Sequence, residues 1–198
     1  MQTYLALGDS YTIGEGLPLY ENYPYQTVQL LREAGHSITA PEIIARTGWT
    51  TDELADTIAH TALLPRYDLV TLLIGVNNQY RGRDLWEYGE QFEELLLQAI
   101  ELGQGGRVFV LSIPDWGASP FAAKQGRDRS AIAAQIDSFN RLARHITGDK
   151  GIPFIDITGH SRGEGAALDS FAADGLHPGA VQYAWWAGQL TQAILATA

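Results

Sequence analysis

Ser10 stands in the run Gly8-Asp9-Ser10-Tyr11. A serine at the end of a strand, beside a flexible glycine, can present its hydroxyl at a site with its own N–H next to it. The same tripeptide is also common turn and helix-cap chemistry. Asp174-Gly175-Leu176-His177-Pro178 sets a carboxylate three residues before an imidazole, so one loop can deliver a base and the group that orients it. Taken alone, Asp-x-x-His says little, because many histidines near helix starts do no chemistry. Gly75-Val76-Asn77-Asn78 puts an amide donor directly after a strongly apolar run, placed to meet a developing oxyanion. An Asn-rich turn is the plain alternative, and Asn78 reads as a turn residue. Arg46-Thr47-Gly48-Trp49 offers a glycine whose N–H can approach a ligand closely, or simply a turn before a helix.

These stretches need elements to hold them, and the hydrophobic pattern supplies candidates. Tyr4–Leu7 reads as a buried strand, followed by Glu42–Ala45, Asp68–Ile74, Val108–Ile113 and Pro153–Ile157. Asp68–Ile74 is β-branched and apolar without alternation, as in a strand buried on both faces. Between the strands lie helical patterns: Tyr23–Ala34 closed by Gly35, Thr51 to about Leu63, Asp84 to Leu102, and one marked by Ile132, Ile136, Phe139, Ala143 and Ile146. Leu85, Tyr88, Phe92, Leu95, Ala99 and Leu102 give the longest apolar stripe, and Gly103-Gln104-Gly105-Gly106 ends it. Ala180–Thr197 is the closing helix. Strands alternating with helices predict an α/β fold with a mostly parallel five-stranded sheet covered on both faces. No internal repeat or linker interrupts residues 1–198, which read as one domain. Two longer stretches, Pro114–Arg127 and Thr158–Gly175, read as irregular loops. In such folds sites lie at the carboxyl ends of the strands, where all four stretches fall.

Composition narrows the field. Against 13 Lys and Arg stand 23 Asp and Glu, a formal charge of −10, which repels phosphate backbones and makes nucleic acid a poor partner. With no cysteine there is no disulfide, thiolate metal site or cysteine nucleophile. The five histidines show no paired helical spacing for a metal; His60 and His145 read as helix-surface residues. No apolar run approaches a membrane span, and no signal segment precedes Tyr4, so the expected compartment is the cytoplasm.

In this order and these contexts, the four stretches resemble the SGNH hydrolases, the GDSL esterases and lipases, over essentially the whole chain. The blocks of that family look like Gly8-Asp9-Ser10, Gly48, Gly75-Val76-Asn77 and Asp174-Gly175-Leu176-His177-Pro178. The resemblance implies a three-layer α/β/α sandwich, flavodoxin-like in plan. It implies that Ser10 attacks an ester carbonyl, that His177 takes and returns the proton, and that Asp174 orients the imidazole. It also implies an oxyanion hole made by the Ser10 N–H, the Gly48 N–H and the Asn77 side chain, with no metal or cofactor. Two departures stand out. Tyr11 replaces the usual Leu of the first block, and Asn78 replaces the usual Asp of the third, which questions any supporting carboxylate there.

Other readings compete. Gly159-His160-Ser161-Arg162-Gly163 fits the nucleophile elbow Gly-x-Ser-x-Gly, but no later strands remain to deliver an acid and a histidine, so Ser161 reads as a loop residue. Asp156 and Asp169 are fallback acids. A non-catalytic module holding a small ligand at the same strand ends is the alternative function. Trp49, Trp116 and Phe121 lie in or beside the site loops and are candidates to line an acyl or sugar pocket. Trp185 and Trp186 read as helix packing. The expected substrate is a small carboxylic ester.

Overall fold

A computed structural model describes residues 1–103 and 107–197; of the glycine-rich helix end, Gln104–Gly106 lie outside the described residues. Five strands, β1 (Tyr4–Asp9), β2 (Glu42–Arg46), β3 (Leu69–Leu73), β4 (Arg107–Leu111) and β5 (Phe154–Ile155), form one sheet in the order β2-β1-β3-β4-β5. Every pairing is parallel. β1 and β3 are buried along their whole length, which is why they read as continuous apolar runs. The chain leaves β1 for β2 on one side and then crosses to β3 on the other. The crevice at that reversal lies between the carboxyl ends of β1 and β3, where open α/β sheets bind ligands.

Nine helices occur among the described residues: α1 (Ser10–Ile13), α2 (Tyr23–Glu33), α3 (Thr51–Ala59), α4 (Val76–Tyr80), α5 (Leu85–Leu102), α6 (Pro120–Lys124), α7 (Arg129–Asp149), α8 (Thr158–Arg162) and α9 (Ala180–Ala196). α2 packs on α9, while α3 and α7 pack on α5, covering the two faces of the sheet. The predicted apolar stripe of α5 buries Tyr88, Phe92, Leu95 and Ala99. Trp186 is fully buried among Tyr11, Tyr23 and Tyr183, and Trp185 stacks on His160 with ring centroids 4.1 Å apart.

Three differences from the sequence expectation have a visible cause or content. The helix from Thr51 stops at Ala59 instead of reaching Leu63, because the His60 ring and the Thr61 hydroxyl bond the Asp56 and Thr57 carbonyls. β5 covers Phe154–Ile155 only. Beyond it Ile157 N and Thr158 N donate to the Ser112 hydroxyl instead of a strand. The stretches 114–127 and 158–175 are not irregular. The first holds a 3-10 turn at Trp116–Ala118 and α6, the second α8 and two further 3-10 turns. α6 starts on a signal the apolar pattern does not show: the Ser119 hydroxyl caps Ala122 N at 3.2 Å, with Pro120 at the first helical position.

Candidate active site

Ser10 sits at the junction of β1 and α1. Asp9 caps that short helix, accepting the Tyr11 N–H through Oδ1 at 3.0 Å. The preceding glycine is needed for space, not for flexibility. A Cβ on Gly8 would lie 2.1 Å from the Thr12 hydroxyl and 2.4 Å from the Leu73 carbonyl. β1, β3 and α1 therefore close together directly beneath Ser10.

Asp9 itself is fully buried, and its Oδ2 has no hydrogen-bond partner among the described residues. Burial pushes its carboxyl up to about 7, against two backbone hydrogen bonds that lower it.

His177 comes from the loop before α9, and that loop is tied down at several points. Ala172 N donates to the His177 carbonyl at 2.8 Å, Gly179 N to the Ser170 carbonyl at 2.7 Å, and Phe121 N to the Gly175 carbonyl at 2.9 Å. Asp174 serves the imidazole twice. Oδ2 lies 2.5 Å from His177 Nδ1, and Oδ1 accepts the Leu176 and His177 N–H groups at 2.9 and 3.0 Å. Partial burial raises the Asp174 carboxyl, but the bonds from the His177 ring and the two N–H groups outweigh it and hold it below the ordinary value. A charged acid thus fixes Nδ1 and leaves Nε2 as the free ring nitrogen. The Tyr11 ring meets the imidazole edge-on with centroids 5.9 Å apart.

Gly48 follows β2 with φ +87°, a backbone that side-chain-bearing residues rarely adopt. Its N–H has no acceptor among the described residues, while Trp49 N closes the turn on the Arg46 carbonyl at 3.2 Å. Asn77 lies in the first turn of α4, after β3. One of its amide N–H groups donates to the Trp49 carbonyl at 2.9 Å, which leaves the other for the cavity the residue lines.

Ser10, Gly48, Asn77 and His177 line one cavity of about 200 Å³, together with Thr47, Val76, Leu176, Tyr11, Tyr80 and Trp116. The structure brings Trp116 to that cavity but not Trp49 or Phe121. Trp49 packs against the core and faces Asn77 with its carbonyl. Phe121 lies in α6 along a neighbouring groove with Asp174 and Gly175. Sequence reasoning missed Tyr11, Tyr80 and Leu176 as lining residues. Tyr80 is the one a pattern could have found, since it sits three residues after Asn77 on the same helical turn.

Asn78 is not a turn residue. It is buried in α4, accepts Thr51 N at 3.1 Å and donates to the Thr51 hydroxyl at 2.7 Å, so it anchors the start of α3. Ser161 is buried in α8 with its hydroxyl engaged by the Thr158 carbonyl at 2.7 Å and Asp115 N at 2.8 Å. Asp156 pairs with Arg144 and caps Thr158 N. Asp169 is exposed in a 3-10 turn. His145 is exposed on the surface of α7, and His60 is exposed just past the end of α3.

A parallel five-stranded α/β sandwich that gathers Ser10, Gly48, Asn77 and an Asp174–His177 pair at its strand ends has the plan of the SGNH hydrolases. Residues 6–185 match the GDSL-like lipase/acylhydrolase family, and the chain belongs to it. No curated protein matches it in sequence. Solved structures with the same fold include Axe2, an acetylxylan esterase from Geobacillus stearothermophilus, with TM-score 0.77 and 18% identity over 98% of this chain and 94% of that one. A member of the lipolytic protein G-D-S-L family from Veillonella parvula has TM-score 0.72 and 18% identity, over 98% of this chain and 99% of that one. The lipase/acylhydrolase from Enterococcus faecalis has TM-score 0.71 and 18% identity, over 100% of this chain and 97% of that one. No helix among the described residues is long and apolar enough to cross a membrane.

Proposed function

We propose that the protein is a serine esterase that cleaves small carboxylic esters through an acyl-enzyme on Ser10. The observation that carries this reading is the Asp174–His177 bond of 2.5 Å at a cavity that Ser10, Gly48 and Asn77 also line. In this reading His177 Nε2 removes the Ser10 proton as the hydroxyl oxygen attacks the ester carbonyl carbon. The carbonyl oxygen takes the electron pair and is met by the Ser10 N–H, the Gly48 N–H and the free N–H of Asn77. The tetrahedral intermediate collapses, the C–O bond to the alcohol breaks, and His177 returns the proton to the departing alkoxide. Water then repeats the sequence on the acyl-enzyme with the same base, releasing the acid and restoring Ser10. Asp174 remains ionised throughout and holds the imidazolium that forms in each step.

The size of the cavity supports a short acyl group. About 200 Å³ falls below the roughly 300–1,000 Å³ of sites for drug-sized ligands, and Val76, Leu176, Tyr80 and Trp116 give it apolar walls.

Labelling with a fluorophosphonate tests the nucleophile, because the tetrahedral phosphorus resembles the acyl-transfer intermediate. Stoichiometric adduct on the Ser10 peptide is expected, slowed strongly in His177→Ala and less in Asp174→Ala. Mass spectrometry that finds a folded protein without adduct would favour a non-catalytic binding module, and an adduct on Ser161 would point to a different nucleophile.

A further inference from the structure

α4 grips the Gly48 loop with three side chains in succession. Asn77 donates to the Trp49 carbonyl at 2.9 Å, and Asn78 accepts from Thr51 N at 3.1 Å. The third is Arg81, the residue that ends α4, whose Nη2 donates to the Gly48 carbonyl at 2.6 Å. Its backbone N–H returns to the Asn77 carbonyl at 3.0 Å, so the guanidinium and Asn77 belong to one helical turn. On its other side Nη1 lies 3.5 Å from Glu53 Oε2. That carboxylate accepts Thr50 N at 2.9 Å and closes the start of α3. Glu53 is held below its ordinary value, mainly by the Thr50 N–H, so the arginine meets a full negative charge.

We infer that Arg81 is a positioning residue for the oxyanion hole, holding the Gly48 peptide in register with Asn77. The inference rests on the proposed acyl transfer. Gly48 has no side chain to restrain it, and its φ of +87° is one of several basins open to glycine. The turn bond from Trp49 N holds one side of it. The Gly48 carbonyl is held by Arg81, whose charge-assisted bond is stronger than a neutral one. With the carbonyls of residues 48 and 49 both bonded to α4, the Cα of Gly48 is fixed beside Asn77, and its N–H keeps only the rotation of the 47–48 peptide. Without Arg81 the loop keeps its contacts through Asn77 and Asn78 but loses the one that acts on Gly48 itself. An error of about 1 Å in such a donor is enough to cost roughly 100-fold in rate.

The test compares Arg81→Gln and Arg81→Lys with the unaltered protein on one short-acyl ester, with rates normalised to fluorophosphonate-titrated sites. Binding of a trifluoromethyl ketone that forms a hemiketal oxyanion is measured alongside. Arg81→Gln is expected to lower kcat by roughly 10- to 100-fold with KM within about two-fold, and to weaken ketone inhibition by the same factor as kcat. Arg81→Lys, which keeps a charged donor for the Gly48 carbonyl, is expected to recover part of both. Unchanged kcat and ketone affinity per titrated site would overturn the inference. So would losses confined to KM or to the number of titratable sites, which mark a purely structural role. If the unaltered protein fails to label, the proposed acyl transfer falls first. A labelled, active protein indifferent to Arg81→Gln removes only this inference.

Discussion

Replacing Asp9 by asparagine removes a titration that the fold makes costly. The side chain is fully buried, its Oδ2 lacks a partner among the described residues, and the ionisable groups that feel its charge, Tyr11, Tyr23, Tyr88 and Tyr183, are all phenols. Its carboxyl is pushed from the ordinary 3.8 up to about 7. An acid with a raised value in the fold binds its proton more tightly there than in the unfolded chain. Stability is therefore greatest below about pH 4 and falls as pH rises through the window up to about pH 7, with no further loss above it. The full difference is on the order of 4 kcal/mol, of which about 2–3 kcal/mol is lost between pH 5 and pH 8. For a chain of this length that corresponds to roughly 5–10 °C in melting temperature. The substituted amide would keep an oxygen for the Tyr11 N–H and bury two N–H donors where the protonated acid has one O–H, a pH-independent cost of about 1–3 kcal/mol. Asp9→Asn should thus be somewhat less stable than the parent at pH 5 and gain on it steadily toward pH 8. Urea titrations of both proteins at pH 5, 6, 7 and 8 measure this, and every other titrating group cancels in the difference. Parallel stability curves for the two proteins would refute the claim that burial raises the Asp9 carboxyl.

Three further outcomes can be checked. Asn77→Ala should lower kcat by roughly 10²–10³ with little change in KM, since in the proposed reaction its free N–H meets charge only in the transition state; steady-state kinetics with an unchanged kcat would refute that role. Gly8→Ala should cost about 3 kcal/mol in chemical denaturation, because the new methyl meets a backbone carbonyl and a buried threonine, neither of which has room to retreat; a loss under about 1 kcal/mol would contradict that packing. Across p-nitrophenyl esters, acetate and butyrate should be turned over with higher kcat/KM than decanoate or longer, as the cavity of about 200 Å³ requires, and a preference for the long chains would show that the pocket opens.

The sheet is legible because parallel strands buried on both faces leave an unmistakable composition. β3 and β4 are apolar apart from Thr71 and Arg107, and the intervening helices carry clean stripes. Less is legible where a side chain, and not periodicity, decides the backbone. Ser112 ends β5 by offering its hydroxyl to Ile157 N and Thr158 N, a contact across 45 residues for the first of them. The 114–127 stretch looks irregular because α6 has five residues, too few to show a period, though Ser119-Pro120 announces its start. Hydrophobic pattern is silent on elements shorter than about two turns.

The site divides along the same line. Ser10, Asn77 and the Asp174–His177 pair are readable because each combines a reactive side chain with a strand end or a local spacing. Their supports are not. Gly8 reads as a flexible neighbour, yet its role is to let Thr12 and Leu73 approach, which only the packing of β1 on β3 reveals. Asn78 reads as a turn residue because its partner, Thr51, is 27 positions away. The acid that the family usually carries at that position is absent, but an acceptor for Thr51 N is what the geometry uses, and an amide oxygen provides one while its nitrogen holds the hydroxyl. Tyr11 is a second departure with a visible consequence: its ring packs edge-on against the His177 imidazole, an aromatic contact that a leucine does not offer. The two departures from the family pattern thus fall on residues that pack around the candidate site, where several side chains can satisfy one geometric demand, and neither falls on Ser10, Asn77, Asp174 or His177, where the proposed chemistry admits few alternatives.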